Sequence, residues 1–246
     1  MSVLRIGVLA VQGDFAEHIE LLRRIGVEPV EVRLPEHLGA IDALIIPGGE
    51  STTITRLLDI YDLRAPIKRL GRAGMPIWGT CAGAIVLAKG AGDLDRPSLG
   101  LMDIDVRRNA FGRQVDSFEA DLDVGALGDV PFHAIFIRAP VIQHAGDGVE
   151  VLAMLADGTI VAAREGHLLA TSFHPELTDD PRFHQLLAAI AETPVLGPRA
   201  RACIATLRVS GARGPAAGVA VRTGRIRHRQ DCADPAFPGP AGAALD

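Results

Sequence analysis

The chain has 246 residues, of which 48% are apolar and 22% charged, and a formal net charge of −5. That composition suits one α/β domain with a full core and an appendage. The acidic balance gives no basic footprint for nucleic acid, and no apolar run approaches the roughly 20 residues that span a bilayer.

The first segment, "MSVLRIGVLAVQG", enters a strand directly and has no cleavable secretory pattern, so a cytoplasmic protein is expected. Ile6–Val11 reads as a strand, Phe15–Ile25 as a helix and Val27–Val32 as a strand. Ala43–Ile46 is a strand that ends in a glycine turn before the helical stretch Ser51–Leu58. Pro76–Trp78 closes another apolar strand, and Ala84–Ala88 reads as a buried helix. This β-α alternation predicts a doubly wound, flavodoxin-like α/β fold with a mainly parallel sheet and helices on both faces. From about Leu99 to Val161 helices become scarce. Asp103–Arg107, Ala134–Ile137, Val149–Leu155 and Ile160–Arg164 read as strands, with a turn at Asp157-Gly158. An antiparallel, strand-rich insertion is expected there. Leu168–Phe173 returns to a core strand, and Pro181–Ala191 reads as a closing helix.

Composition shifts after residue 191. Residues 192–246 hold eight Arg, no Lys, seven Gly, six Pro and only four acidic side chains. The charge sign reverses and no periodicity remains. The expected organisation is therefore a domain over 1–191 and a disordered Arg/Gly/Pro/Ala-rich tail over 192–246. A functional basic tail and a reading-frame artefact are the alternatives.

Chemistry concentrates in three places. The first is "GTCAG", residues 79–83, at the corner between strand and helix. The spacing G-x-C-x-G is the cysteine form of the nucleophile elbow, where small neighbours permit a tight turn that exposes one reactive atom. Cys81 would sit at a helix N-terminus, where unpaired N–H groups and the dipole favour negative charge. With Cys203 and Cys232 it forms a sparse, odd set that argues against a disulfide framework. The second is "SFHPE", residues 172–176. In an extended backbone His174 and Glu176 point to one side, so the carboxylate can accept the second ring N–H and fix the tautomer. The third is "PGGESTT", residues 47–53, a turn that presents backbone N–H groups where negative charge develops on a carbonyl oxygen. Gly49 and Ala82 are the oxyanion-hole candidates. Phosphate binding is the alternative use of such a turn, and Glu50 beside it argues against that.

The other histidines, His18, His37, His133, His144, His167 and His184, lack a partner pattern and read as surface or satisfied side chains. Asp14, Glu17 and His18 lie near one another at a helix start, where capping and solvation account for them. No pair of His or Cys has metal-ligand spacing, so no metal is expected.

In order, the three motifs resemble the class I (triad) glutamine amidotransferases over roughly residues 3–191. Within that family, "GVLAVQGDFAEH", "RNAFGRQVDSFE", "FIRAP" and "SFHPELTDD" are most similar to the glutaminase subunits of pyridoxal 5′-phosphate synthases. The resemblance implies hydrolysis of L-glutamine to L-glutamate and ammonia, which a separate synthase subunit in a hetero-oligomeric complex consumes. It implies Cys81 as nucleophile, His174 as general acid/base and Glu176 as its orienter. It implies glutamine contacts at Gly49, Glu50, Ser51, Arg108, Ile137 and Arg138. It requires no cofactor, pyridoxal phosphate being the product of the whole complex. A peptidase or small-molecule hydrolase on the same fold, and a non-catalytic regulatory module, are the rival readings. Finally, the turn Pro47-Gly48-Gly49 allows a peptide plane to flip cheaply, and Gln12 is the candidate for relaying a partner's contact to it.

Overall fold

The computed structural model describes residues 3–92, 94–108 and 117–193. Strands β1 (Arg5–Leu9), β2 (Glu28–Val32), β3 (Ala43–Ile46) and β4 (Ile77–Thr80) alternate with helices α1 (Phe15–Arg24), α2 (Ser51–Ile60) and α3 (Arg64–Arg72). Helix α4 (Ala82–Leu87) follows β4 after a single intervening residue, Cys81. Eight further strands follow: β5 (Ala88–Gly90), β6 (Met102–Arg107), β7 (Ser117–Leu122), β8 (Phe132–Ile137), β9 (Val141–Ala145), β10 (Glu150–Met154), β11 (Ile160–Glu165) and β12 (Leu168–Thr171). Helix α5 (Arg182–Glu192) closes the described chain.

One mixed sheet runs β2-β1-β3-β4-β12-β11-β9-β6-β5, with β10 added to β11. Its first five strands are all parallel. Beyond β12 the pairing turns antiparallel through β11, β9 and β6. The strand-rich segment therefore extends the parallel sheet from β12, while β7 and β8 form a separate antiparallel ribbon. In the parallel half, β3, β4 and β12 are buried at every position, as expected for strands covered on both faces. On β3, Leu44 and Ile46 face one core with α2, α3 and α4, whereas Ala43 and Ile45 face the other with α1 and α5. Successive strand residues point to opposite faces, so one apolar run serves both layers. The ribbon's Phe132 and Phe136 join Trp78, Phe173 and Phe183 in that second core.

The sequence reading and the structure differ mainly in the weakly patterned elements. Helix α3 was not anticipated, since "RAPIKRLGR" buries only Ile67, Leu70 and Gly71. Strands β5, β7 and β9 were also missed, being short or half-exposed. The expected helix at Ala84 begins two residues earlier, at Ala82. Among the described residues no helix is long and apolar enough to cross a membrane. Of the expected tail 192–246, only Glu192, at the end of α5, and Thr193 are described; the rest lies outside the described residues.

Candidate active site

Loops at the C-terminal ends of β1, β3, β4 and β12 meet at one end of the parallel half, the place where open α/β sheets hold ligands. Cys81 sits at the tip of β4 with φ +47° and ψ −106°, a conformation that non-glycine residues rarely adopt. Such backbone costs about 1–3 kcal/mol and persists only where the surroundings enforce it. Here the ladder enforces it: Cys81 N–H donates to Thr171 O on β12 at 2.8 Å. The flanking glycines are a steric need. A Cβ on Gly79 would lie 2.4 Å from Gly83 backbone, and one on Gly83 would lie 1.9 Å from Ile46 O. The G-x-C-x-G spacing thus reflects how closely α4 must pass over β3 and β4.

His174 follows β12, and its backbone N–H donates to Ile135 O on β8 at 2.9 Å. Its Nδ1 bonds Glu176 Oε1 at 2.7 Å, with Glu176 carried on a short 3-10 turn, Pro175–Leu177. The Cys81 side chain faces the same cavity and favours the charged form of the ring. All three residues are buried. Burial opposes charge on His174, but the hydrogen bonds and charges of Cys81 and Glu176 overcome it and lift its pKa to about 10. Burial also raises the Glu176 carboxyl, against the opposing pull of His174.

The glycine turn after β3 lies directly against this pair. A Cβ on Gly48 would stand 2.5 Å from His174 Cε1, and one on Gly49, at φ +144°, would stand 2.6 Å from Gln12 Oε1. Gln12 Oε1 accepts the Glu50 N–H at 2.9 Å, so the side chain caps the turn. Ala82 is the first residue of α4, where a backbone N–H has no intrahelical acceptor. Glu50 caps α2 by accepting from Thr52 N and Thr53 N, and its Oε1 pairs with Arg108 Nη2 at 2.9 Å. Its slight burial favours the neutral form, yet hydrogen bonds from Thr52 and Thr53 dominate and hold its pKa near 2.

These groups line a cavity of about 550 Å³, a size suited to an amino acid. Gly49, Glu50, Ser51, Cys81, Ala82, Arg108, Ile137, Arg138 and His174 all reach it, with Glu176 behind His174. Ile137 O lies 3.9 Å from Cys81 Sγ, and Arg138 adopts φ +45° at the cavity wall.

Two neighbours depart from the sequence reading. Asp14 makes no side-chain cap on α1, and its Oδ2 stands 3.5 Å from His174 Nδ1. His18 is fully buried, not solvated, with Nε2 3.3 Å from Glu176 Oε2. Only the chance that α1 repeats its faces every three to four residues pointed to this, placing His18 with Ile19 and Leu22 inward. Asp14, His174 and Glu176 also offer ligand atoms within 4.8 Å of one another, the candidate cation group among the described residues. It joins two separate loops, which no local spacing could have signalled.

The SNO glutamine amidotransferase family profile matches residues 8–192. The chain belongs to that family. It is 60% identical over 190 residues to the pyridoxal 5′-phosphate synthase subunit PdxT of Herpetosiphon aurantiacus, covering 76% of this chain and all of that protein. It is 57% identical over 189 residues to the PdxT of Roseiflexus sp. (strain RS-1), covering 76% and 100%. Among solved structures, a glutamine amidotransferase superposes with a TM-score of 0.71 at 53% identity, covering 76% of this chain and 98% of that one. The family match spans the elbow, the glycine turn and the His-Pro-Glu segment, every loop that forms the cavity.

Proposed function

We propose that the chain hydrolyses L-glutamine to L-glutamate and ammonia through Cys81, His174 and Glu176. The ammonia passes to the synthase subunit of a pyridoxal 5′-phosphate synthase. The observation that carries this reading is the strained elbow cysteine, which shares one cavity with a histidine that a buried carboxylate holds. Its sparse cysteine set fits a cytoplasmic site of action.

The raised His174 pKa keeps the proton on the imidazole at neutral pH. With Nδ1 committed to Glu176, Nε2 is the atom that serves Cys81. The Cys81 sulfur attacks the side-chain amide carbon of glutamine, forming the C–S bond as the carbonyl electrons move to oxygen. The N–H groups of Gly49 and Ala82 receive that oxyanion. His174 gives its proton to the departing nitrogen as the C–N bond breaks, releasing ammonia and leaving a thioester. The histidine then takes a proton from water, whose oxygen attacks the thioester. Glutamate leaves and the thiolate returns. Arg108 and Arg138 suit the α-carboxylate of the bound glutamine by charge-assisted hydrogen bonds, and Glu50 suits its α-ammonium. The Glu50–Arg108 pair holds both groups ready at the cavity wall.

The Gly48-Gly49 turn, held by Gln12, is the gate in this reading. Docking of the synthase subunit turns the Gly49 N–H toward the oxyanion position. One missing oxyanion donor costs roughly 10²–10³ in rate. The test is ammonia and glutamate release from free glutamine by the full chain, with and without the synthase subunit. Stoichiometric release that rises by about that factor with the partner is expected. No release in either condition overturns the glutaminase reading, and equal rates overturn the gate alone.

A further inference from the structure

Behind the triad, on the side away from the cavity, His18 of α1 and His184 of α5 form a buried pair with no exposed surface. His18 Nδ1 lies 2.9 Å from His184 Nε2. On its other side, His18 Nε2 lies 3.3 Å from Thr80 Oγ1 and 3.3 Å from Glu176 Oε2. Trp78 stands edge-on to both rings, at 5.6 and 5.0 Å between centroids, with Phe183 stacked on it. The pair is walled by aromatics, and burial drives both imidazoles to the neutral form, His184 down to about 3.

Two neutral rings in contact share one proton, and only two arrangements exist. If His18 donates from Nδ1, its bare Nε2 lone pair faces the Glu176 carboxylate. The remaining proton of His184 then sits on Nδ1, which has no hydrogen-bond partner among the described residues. That arrangement combines lone-pair repulsion with a buried orphan N–H. If His184 donates from Nε2 instead, His18 carries its proton on Nε2, facing Thr80 and Glu176 Oε2. Only a bare ring nitrogen on His184 is then left over. Among the described residues Glu176 Oε2 makes no hydrogen bond, and the Nε2–H of His18, 3.3 Å from it and beside Thr80 Oγ1, brings a proton to that side of the carboxylate.

We propose that His18 is a positioning residue of the glutaminase centre. Its Nε2–H, fixed in place by the His184 Nε2–H, aligns Glu176 through Oε2, while Oε1 holds His174. The inference rests on Cys81, His174 and Glu176 being the triad. His18 touches no substrate; it acts through Glu176, as outer hydrogen-bond partners of active-site groups do. Protons then point in one direction along the chain His184, His18, Glu176, with His174 donating back to the carboxylate from the other side. The charged and titratable groups that face Glu176 and His174 are Asp14 ahead of α1, Cys81 between β4 and α4, His18 from α1 and, through His18, His184 from α5. Loss of His18 lets the carboxylate turn away from the imidazolium, and the misaligned pair holds the proton less well. The alkaline limb of the pH profile then moves to lower pH.

The test uses the full chain with the synthase subunit added. His18→Leu is expected to lower kcat by about 10–100-fold with KM little changed, and to move the alkaline limb down by on the order of one unit. His18→Gln, whose amide N–H reaches the place of Nε2, is expected to restore most of both. Heteronuclear NMR of the imidazole nitrogens in the wild-type full chain, which needs no turnover, is expected to show His18 and His184 both protonated at Nε2. A folded His18→Leu with wild-type kcat and pH profile overturns the proposal, as does a loss that Gln does not rescue and that leaves the pH profile unmoved. So does a proton on His18 Nδ1, which decides the matter even where the leucine variant fails to fold. Cys81→Ala separates the two readings. Turnover retained in that variant refutes the triad itself, whereas its loss beside a wrong His18 tautomer refutes only the role of His18.

Discussion

The two halves of the main sheet divide the site between them. The parallel half places the groups proposed to react: Cys81 after β4, His174 after β12 and the glycine turn after β3. Strands β3, β4 and β12 are buried on both faces, and backbone contacts as close as the one between Gly83 and Ile46 leave no room for adjustment. The antiparallel part and its ribbon place the groups suited to gripping glutamine: Arg108 just after β6, and Ile137 and Arg138 at the end of β8. On β6 and β8, which carry these groups, burial alternates along the strand, as in sheets with one wetter face. In the proposed mechanism bond making falls to the rigid, doubly covered half, while the grip on the α-carboxylate falls to the half with a wetter face and Glu50 of the parallel half takes the α-ammonium. Substitutions in the first should fall on kcat and those in the second on KM.

The largest effect tests the first side of that division. Cys81→Ala is expected to lower glutamine turnover by about 10⁴-fold or more, with an unchanged melting temperature, because alanine fits the corner and loses only the sulfur. Ammonia release in the presence of the synthase subunit measures it. Retained activity would remove the elbow from the chemistry. Next comes the second side: Arg108→Leu is expected to raise KM by roughly 10–100-fold, the worth of one charge-assisted hydrogen bond to a carboxylate, with a smaller change in kcat. A fall confined to kcat would show that the division by sheet half is wrong.

A smaller effect tests the packing behind the parallel half by pH. The folded-state pKa of His174 is raised to about 10, from an ordinary value near 6.5. Its stabilisation is therefore fully present below about 6.5 and is lost as pH rises toward 10. His184, lowered to about 3, acts in the opposite sense: the unfolded chain takes up its proton first, so stability falls as pH drops below about 6.5. Melting temperatures measured from pH 4 to 10 should decline at both ends. His174→Gln should flatten the alkaline decline and His184→Phe the acidic one. Unaltered slopes in both variants would show that neither histidine is held as its surroundings imply. The smallest effect is expected outside both halves. Removing residues 194–246 should change turnover by less than about twofold, because the relatives are matched over their whole length by about 190 residues of this chain. A large drop in melting temperature on truncation would place part of the core in that segment.

What could be read from the sequence alone was whatever depends on neighbours along the chain. The apolar runs Ala43–Ile46 and Leu168–Thr171, the G-x-C-x-G corner and the His-Pro-Glu spacing are local patterns with local causes: period, steric fit and the reach of residues two apart. They located β3, β12, the elbow and the candidate triad. Tertiary structure alone decided what distant segments do to one another. It set Asp14 beside His174, paired Glu50 with Arg108 across 58 positions, and closed His18 onto His184 across 166. It also joined the antiparallel strands to the parallel sheet through β11 and β12. Such contacts leave no periodic trace, because a lone polar residue on an apolar helix face looks the same whether it meets a carboxylate or solvent. Only burial, which removes water as the alternative partner, makes His18 answer to Glu176.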